Sequence, residues 1–386
     1  LRRLVGSEMC IRDRNLLNKI AILPASFGFF PQLALMANEI NLTEISLYSS
    51  PKENIEFNSE NIYQVNSNEA KEKELLEEYF DAGSFSSTTT ASFGVDFLLG
   101  AADGASSEAT TFDYQMGINL QTQFTGNDLL DIDLEAGNSS SVVGGSTGLD
   151  FVDTEDNLDI KGIAYKFKLG EKTTLFVGDN KKGNYLYSPA CVYGGQTNNL
   201  DDCGSFWALW AGKGTAAGAS FDIGKGLTAA LSYTGDGKNG LMNDEGFDSY
   251  GGQLTYRNDS YGASVTYADF EYYGGSYYWA LNGYLMPSTT SLPSVSVGYE
   301  FGDTNTTNNS SQYFIGLQWY QFGPGSLGAS LGTNGPIFDG DSENLMYEAF
   351  YSYPVNDGMT ITPVVYFQET STDDITAIAI KTSFKF

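Results

Sequence analysis

From Ser92 to the last residue, apolar side chains recur at every second position in segment after segment. The final ten residues, AIAIKTSFKF, show the pattern. Ile378, Ile380, Thr382, Phe384 and Phe386 share one parity, while Ala377, Ala379, Lys381, Ser383 and Lys385 share the other. Side chains of a strand alternate between its faces, so a period of two means a strand with one apolar face. The same rhythm runs through Phe93–Leu99, Phe112–Leu120, Leu130–Ala136, Ile163–Leu169, Leu227–Tyr233, Tyr261–Tyr267, Tyr313–Trp319 and Ile361–Phe367. In all, 16 or 17 segments can be counted, the ambiguity lying in FWALWAGKGTAAGASFDI, read as one strand with a lead-in. Pro363 interrupts one of them and predicts a bulge, because proline removes a ladder donor.

After residue 37 no apolar run approaches the ~20 residues that a membrane-spanning helix requires. A soluble sandwich and a transmembrane barrel both remain compatible with alternation alone. Three features favour an all-β, transmembrane antiparallel β-barrel, expected to have 16 strands. The number of segments is large for one sandwich. Aromatic residues gather at strand ends, as with Trp319 and Tyr320 before FGPGS and Tyr351 and Tyr353 before PVNDG. Tight connections such as DIGKG and YRNDSY also alternate with long ones at 137–159, 180–204 and 235–248, which is the habit of membrane barrels. Hydrocarbon leaves no backbone group a water partner, so such a sheet must close, and the last strand must pair with Ala91–Gly100.

Four regions are expected. LRRLVGSEMCIRDR (1–14) reads as foreign to the protein. Residues 15–37, with Lys19 ahead of an apolar stretch and Ala37 at its end, read as a secretory signal. Residues 38–90 form a polar leader with a short helix around Glu69–Phe80, and 91–386 form the barrel. The chain has 48 acidic and 20 basic residues and no histidine, a net charge of −28. Removing residues 1–37 leaves 46 and 15, a net of −31. Such acidity argues against nucleic acid as a partner, because phosphate binding needs Lys and Arg. Without histidine there is no Ser–His–Asp or Cys–His arrangement, so no enzyme is expected.

NEINLTEISLYSS (38–50), TTTASFGVDFLLGA (88–101), TFDYQMGINLQTQFTGNDLLDIDLEAGN (111–138) and the terminal strand resemble cyanobacterial outer-membrane porins, of the marine picocyanobacterial type related to the carbohydrate-selective porins. Relatives carry an S-layer-homology module before the barrel. Residues 51–90 are too few to hold one, a departure that puts cell-wall anchoring in doubt. The resemblance implies an outer-membrane homotrimer in contact with lipid and lipopolysaccharide. It also implies passive diffusion of ions and small hydrophilic solutes, and an inward-folded constriction loop after the fifth strand, here Asp179–Gly204. It casts Ile380, Phe384 and Phe386 as the signal read by the barrel-assembly machinery.

Candidate lumen residues are Asp131, Asp133 and Glu135 against Lys166, Lys168, Lys181 and Lys182, with Asp201 and Asp202 from the loop. Opposed acidic and basic walls set a transverse field across a narrow pore. The net charge predicts a modest preference for cations or neutral solutes over anions. Cys191 and Cys203 are expected to form a disulfide, as a secreted compartment permits; free thiols or half a metal site are the alternatives. No metal site or cofactor is expected beyond divalent cations such as calcium loosely bridging acidic loops, since no D-x-[DN]-x-[DN]-G motif is present. The competing reading is a secreted all-β protein that binds carbohydrate or builds a surface structure.

Overall fold

A computed structural model of the chain describes residues 88–386, except 106–107, 140, 146–147, 243–246, 272–274 and 305–308. The expected signal and almost all of the leader lie outside the described residues. Period-two sequences form strands throughout. These are β1 (Thr89–Asp103), β2 (Thr110–Thr122), β3 (Asp128–Gly137), β4 (Asp159–Leu169), β5 (Thr173–Lys182), β6 (Lys213–Gly224), β7 (Leu227–Gly235), β8 (Ser249–Arg257) and β9 (Tyr261–Phe270). They continue with β10 (Ser276–Leu285), β11 (Ser294–Thr304), β12 (Ser310–Phe322), β13 (Gly325–Thr333), the two-residue β14 (Ile337–Phe338), β15 (Leu345–Asn356), β16 (Met359–Gln368) and β17 (Ile375–Lys385). β14 only extends the edge of β12, and β13 pairs directly with β15. Sixteen long strands therefore form the wall, each antiparallel to its chain neighbours. β17 pairs with β1 from Gly94↔Lys385 to Asp103↔Thr376, which closes the sheet.

The two faces differ as the alternation predicts. Leu99, Val177, Leu231, Leu254, Leu281, Val297, Ile315 and Val365 stand exposed on the outside. A continuous apolar surface of this extent would drive association in water, but it suits hydrocarbon. Tyr250, Tyr261, Tyr277, Tyr347 and Tyr353 lie toward strand ends on that face. Inside, Thr255, Thr266, Asn282, Ser296, Gln312, Gln318 and Gln368 are buried. Short turns occupy one rim. Lys225 and Gly226 join β6 to β7 at φ 56° and 82°, the doubly positive pair that a two-residue hairpin turn requires. The other rim carries the long connections, including 138–158 and 183–212. Among the described residues no helix is long and apolar enough to cross a membrane.

Three details differ from the sequence reading. The lead-in to β6 is helical: Phe206–Trp210 forms one turn, and Ala211 and Gly212 at φ 50° and 79° reverse the chain into the strand. Lys181 and Lys182 belong to β5 rather than to the following loop. Pro363 causes no register shift. The β15–β16 ladder skips Tyr351 and Ser352 opposite it and resumes in the same register, while Thr362 Oγ1 bonds Ser352 Oγ at 3.1 Å. The bulge of that hairpin lies at Pro354–Asn356 instead.

Candidate functional site

The 183–212 connection turns into the barrel and crosses its inner wall. From Ser188 to Gln196 it is neither helix nor strand and makes a tight turn where Cys191 N–H donates to the Pro189 carbonyl at 2.9 Å, yet every second N–H reaches the wall. Each finds a lumen-facing side chain on a different strand. Ser188 N–H donates to Gln253 Oε1 of β8 (2.6 Å), Ala190 to Ser264 Oγ of β9 (2.9 Å) and Val192 to Ser296 Oγ of β11 (3.1 Å). Gly194 donates to Gln318 Oε1 of β12 (2.8 Å) and Gln196 to Glu348 Oε2 of β15 (3.0 Å). The spacing is commensurate. Eight residues reach at most about 26 Å, and the six strand-to-strand steps from β8 to β15 span about 29 Å along the wall, less on the inside of a curve.

Two buried carboxylates hold the distal part. Glu348 also accepts from Thr197 N–H at 2.6 Å and Tyr193 Oη–H at 2.8 Å. Glu300 of β11 accepts the Trp207 and Ala208 N–H groups at 3.2 and 2.7 Å, where the helical turn Phe206–Trp210 begins, and Gln312 Nε2 at 2.6 Å. These are unpaired donors at a helix start meeting negative charge. Glycine admits the loop where it presses on the wall. A Cβ at Gly298 would overlap the Cys203 carbonyl oxygen, and one at Gly316 would meet the Tyr193 ring. Cys191 and Cys203 are joined by a disulfide, with Cα atoms 6.3 Å apart.

A second connection also turns inward. In residues 138–158, Val143, Leu149 and Phe151 are buried against Leu98 and Ala102 of β1, Val364 and Tyr366 of β16, and Ala377 and Ala379 of β17. Burying side chains of this size contributes roughly 1.5–3 kcal/mol each. The two connections meet where Asn198 N–H donates to the Gly148 carbonyl at 3.0 Å. Together they pack against the wall from β8 through β17 to the end of β1, and an open recess of about 750 Å³ remains against β1–β4, bordered by Asp96, Gln115, Asn119, Asp133, Glu135, Lys161 and Lys385.

The charged candidates divide into three groups. Asp131 and Asp133 of β3 share Lys181 Nζ, which lies 3.2 Å from Asp131 Oδ2 and pairs directly with Asp133. Asn119 Nδ2 donates to Asp131 at 2.7 Å, and Tyr185 Oη donates to it at 3.0 Å. The Nζ atoms of Lys181 and Lys166 lie 5.0 and 5.7 Å from the Tyr185 ring centre. Burial, followed by the Asp131 charge, pushes the Tyr185 phenol upward. Glu135 forms the second group with Lys161, 2.7 Å away, a residue that sequence reasoning missed. In the third, Lys182 attracts Asp201 and Asp202, which also feel Asp150. Asp201 is solvent-exposed, yet desolvation by the protein around it and then the Asp202 charge push its carboxyl upward; desolvation does the same to Asp202 and Asp150. Lys168, near the turn end of β4, is exposed and joins none of these groups among the described residues.

At the seam, Ile380 and Phe384 lie half-buried on β17 and Phe386 is exposed. Phe384 meets Phe97 edge-on, with ring centres 6.1 Å apart. Among the described residues no group of three or more His, Cys, Asp or Glu side chains is placed to hold a metal ion. Glu300 and Glu348 were missed in the sequence although their signal was present: each is an acid at the lumen parity in mid-strand, between Tyr299 and Phe301 and between Tyr347 and Ala349.

No family model and no curated sequence matches the chain. Its fold is similar to solved bacterial porins. OprB of Pseudomonas putida aligns over 82% of this chain and 96% of its own, with a TM-score of 0.60 and 10% identity. An anion-selective porin from Comamonas acidovorans aligns over 78% and 99%, with a TM-score of 0.56 and 11% identity. OmpF of Salmonella typhi, in complex with daunomycin, aligns over 77% and 97%, with a TM-score of 0.52 and 14% identity. The chain thus has the sixteen-stranded porin fold, and at these identities the likeness speaks to architecture alone.

Proposed function

We propose that the protein is an outer-membrane porin through which inorganic ions and small hydrophilic solutes diffuse passively. The observation that carries this reading is the closed sheet with an apolar exterior, whose interior two inward connections narrow without obstructing the charged recess along β1–β4. A fold shared with an anion-selective porin leaves the sign of selectivity to the lumen charges. Asp96, Asp133 and Glu135 border the recess, but so do Lys161 and Lys385, and Lys181 pairs with Asp133; the modest preference for cations and neutral solutes therefore rests on the net acidity of the chain. The protein assembles as a homotrimer, contacts lipopolysaccharide and is inserted by the barrel-assembly machinery through its terminal strand. No catalytic role and no resident cofactor are assigned. The secreted carbohydrate-binding alternative accounts poorly for the exposed apolar exterior.

Planar-bilayer recording tests the proposal. Stepwise conductance in symmetric KCl and a small cation-selective reversal potential in a KCl gradient are expected. Solubility without detergent and no conductance would sink it, whereas a chloride preference would overturn only the selectivity argument.

A further inference from the structure

At the long-loop rim, away from the charged recess, a second recess of about 510 Å³ opens between the helical turn Phe206–Trp210 and the ends of β7–β10. One wall is aromatic. Trp207 stacks on Tyr278 with ring centres 5.6 Å apart, and Trp210 stacks on Phe270 at 5.7 Å. Asp248 and Lys213 line the same space. Asp248 is 1% exposed, and its Oδ1 accepts Tyr233 Oη–H at 2.5 Å. Among the described residues its Oδ2 has no donor and joins no ion pair. The indole Nε1–H of Trp207 has no acceptor among them either. A buried carboxylate oxygen without a donor and a buried N–H without an acceptor each cost free energy that a complementary ligand would recover.

We infer that this recess binds a small zwitterionic amino acid with an apolar side chain. The ligand ammonium meets Asp248 Oδ2, its carboxylate meets Trp207 Nε1–H and Lys213, and its side chain lies along the aromatic wall. A neutral sugar would supply hydroxyl groups but would leave the Asp248 charge uncompensated; an ammonium supplies both donor and charge. The volume is in the range of small-molecule sites, which span roughly 300–1,000 Å³. The inference deepens the porin reading by naming a solute class, but binding itself does not require conduction.

The test is tryptophan fluorescence titration of the full chain in detergent with L-leucine, isoamylamine, isovalerate and glucose. Saturable quenching by leucine is expected, with the amine and the acid each about tenfold weaker or more, because each lacks one charged partner. Asp248→Asn should weaken leucine by a similar factor while heat-modifiable gel mobility stays intact. Trp207→Phe, which keeps the ring and loses the N–H, should weaken leucine and isovalerate but spare isoamylamine. Saturation by glucose in place of leucine, or unchanged leucine binding in Asp248→Asn, overturns the assignment. Absent binding in a chain that still conducts overturns it and leaves the porin reading standing.

Discussion

Phe93 and Phe386 close the barrel twice over: their rings stack at 5.6 Å, 9° from parallel, and their backbones exchange N–H···O bonds of 2.8 and 3.1 Å. The last residue therefore extends the seam between β17 and β1 rather than fraying beyond it. Deleting Phe386 removes both bonds and the stack, exposing the Phe93 backbone at the seam. The fraction of chain reaching the heat-modifiable form, measured on gels after refolding into detergent or vesicles, should fall. Phe386→Ala keeps the backbone bonds and should fall less.

Glu348→Gln should loosen the 183–212 connection. The amide presents N–H groups toward the donors of Gln196 or Thr197, and charge-assisted bonds worth about 1.5–3 kcal/mol each are weakened. Faster proteolysis between Ser188 and Gly204, with the barrel itself still resistant, is the expected reading. An unchanged cleavage pattern would remove Glu348 from its anchoring role.

Gly298→Val tests the same contact from the wall side. Its side chain must displace the Cys203 carbonyl, so the connection lifts and single-channel conductance rises or becomes noisy. Because the outer face is untouched, gel mobility should remain that of a folded barrel.

Lys181→Met uncovers the charges of Asp131 and Asp133. Reversal potentials in a KCl gradient should shift further toward cation selectivity, most clearly at low salt, where screening is weakest. Asp133→Asn should shift them the opposite way.

The sign of the pH response follows from Asp201. Its carboxyl titrates higher in the folded barrel than in the unfolded chain, so the folded state binds that proton more tightly. The associated stability is present below the unfolded value, about 4, and is lost as pH rises toward about 8. Asp201→Asn should raise thermal stability at the upper end of this window and leave it nearly unchanged at the lower end. Equal gains at both ends would contradict the assignment.

The barrel was legible because its determinant is local. Most strands write their lipid face in alternate residues, and hydrocarbon then dictates closure; β10 was the less clear one, because Tyr278 and Ala280 put apolar side chains on its lumen side while Tyr277, Trp279 and Leu281 face out. The second inward connection was not read, although a trace of it existed: Leu98, Val364 and Tyr366 are apolar on the lumen parity, where solvent alone would favour polar residues. The charged pairs were harder. Lys181 pairs with Asp131 across 50 residues of sequence through a register shift at Gly178–Lys181, and periodicity cannot foresee a bulge. A similar shift at Asp133–Leu134 accompanies the Lys161–Glu135 pair.

The anchors of the segment Ser188–Gln196 come from strands that follow it in the chain, the first at Gln253 and the last at Glu348. The ribosome delivers them in that order, well after the segment itself. Its path across the lumen cannot be complete until every strand from β8 to β15 stands in the wall, in whichever order they are inserted. The bore of the channel is thus set by half the circumference at once, and an assembly fault in any of those strands would be recorded as an altered conductance even in a barrel that succeeds in closing.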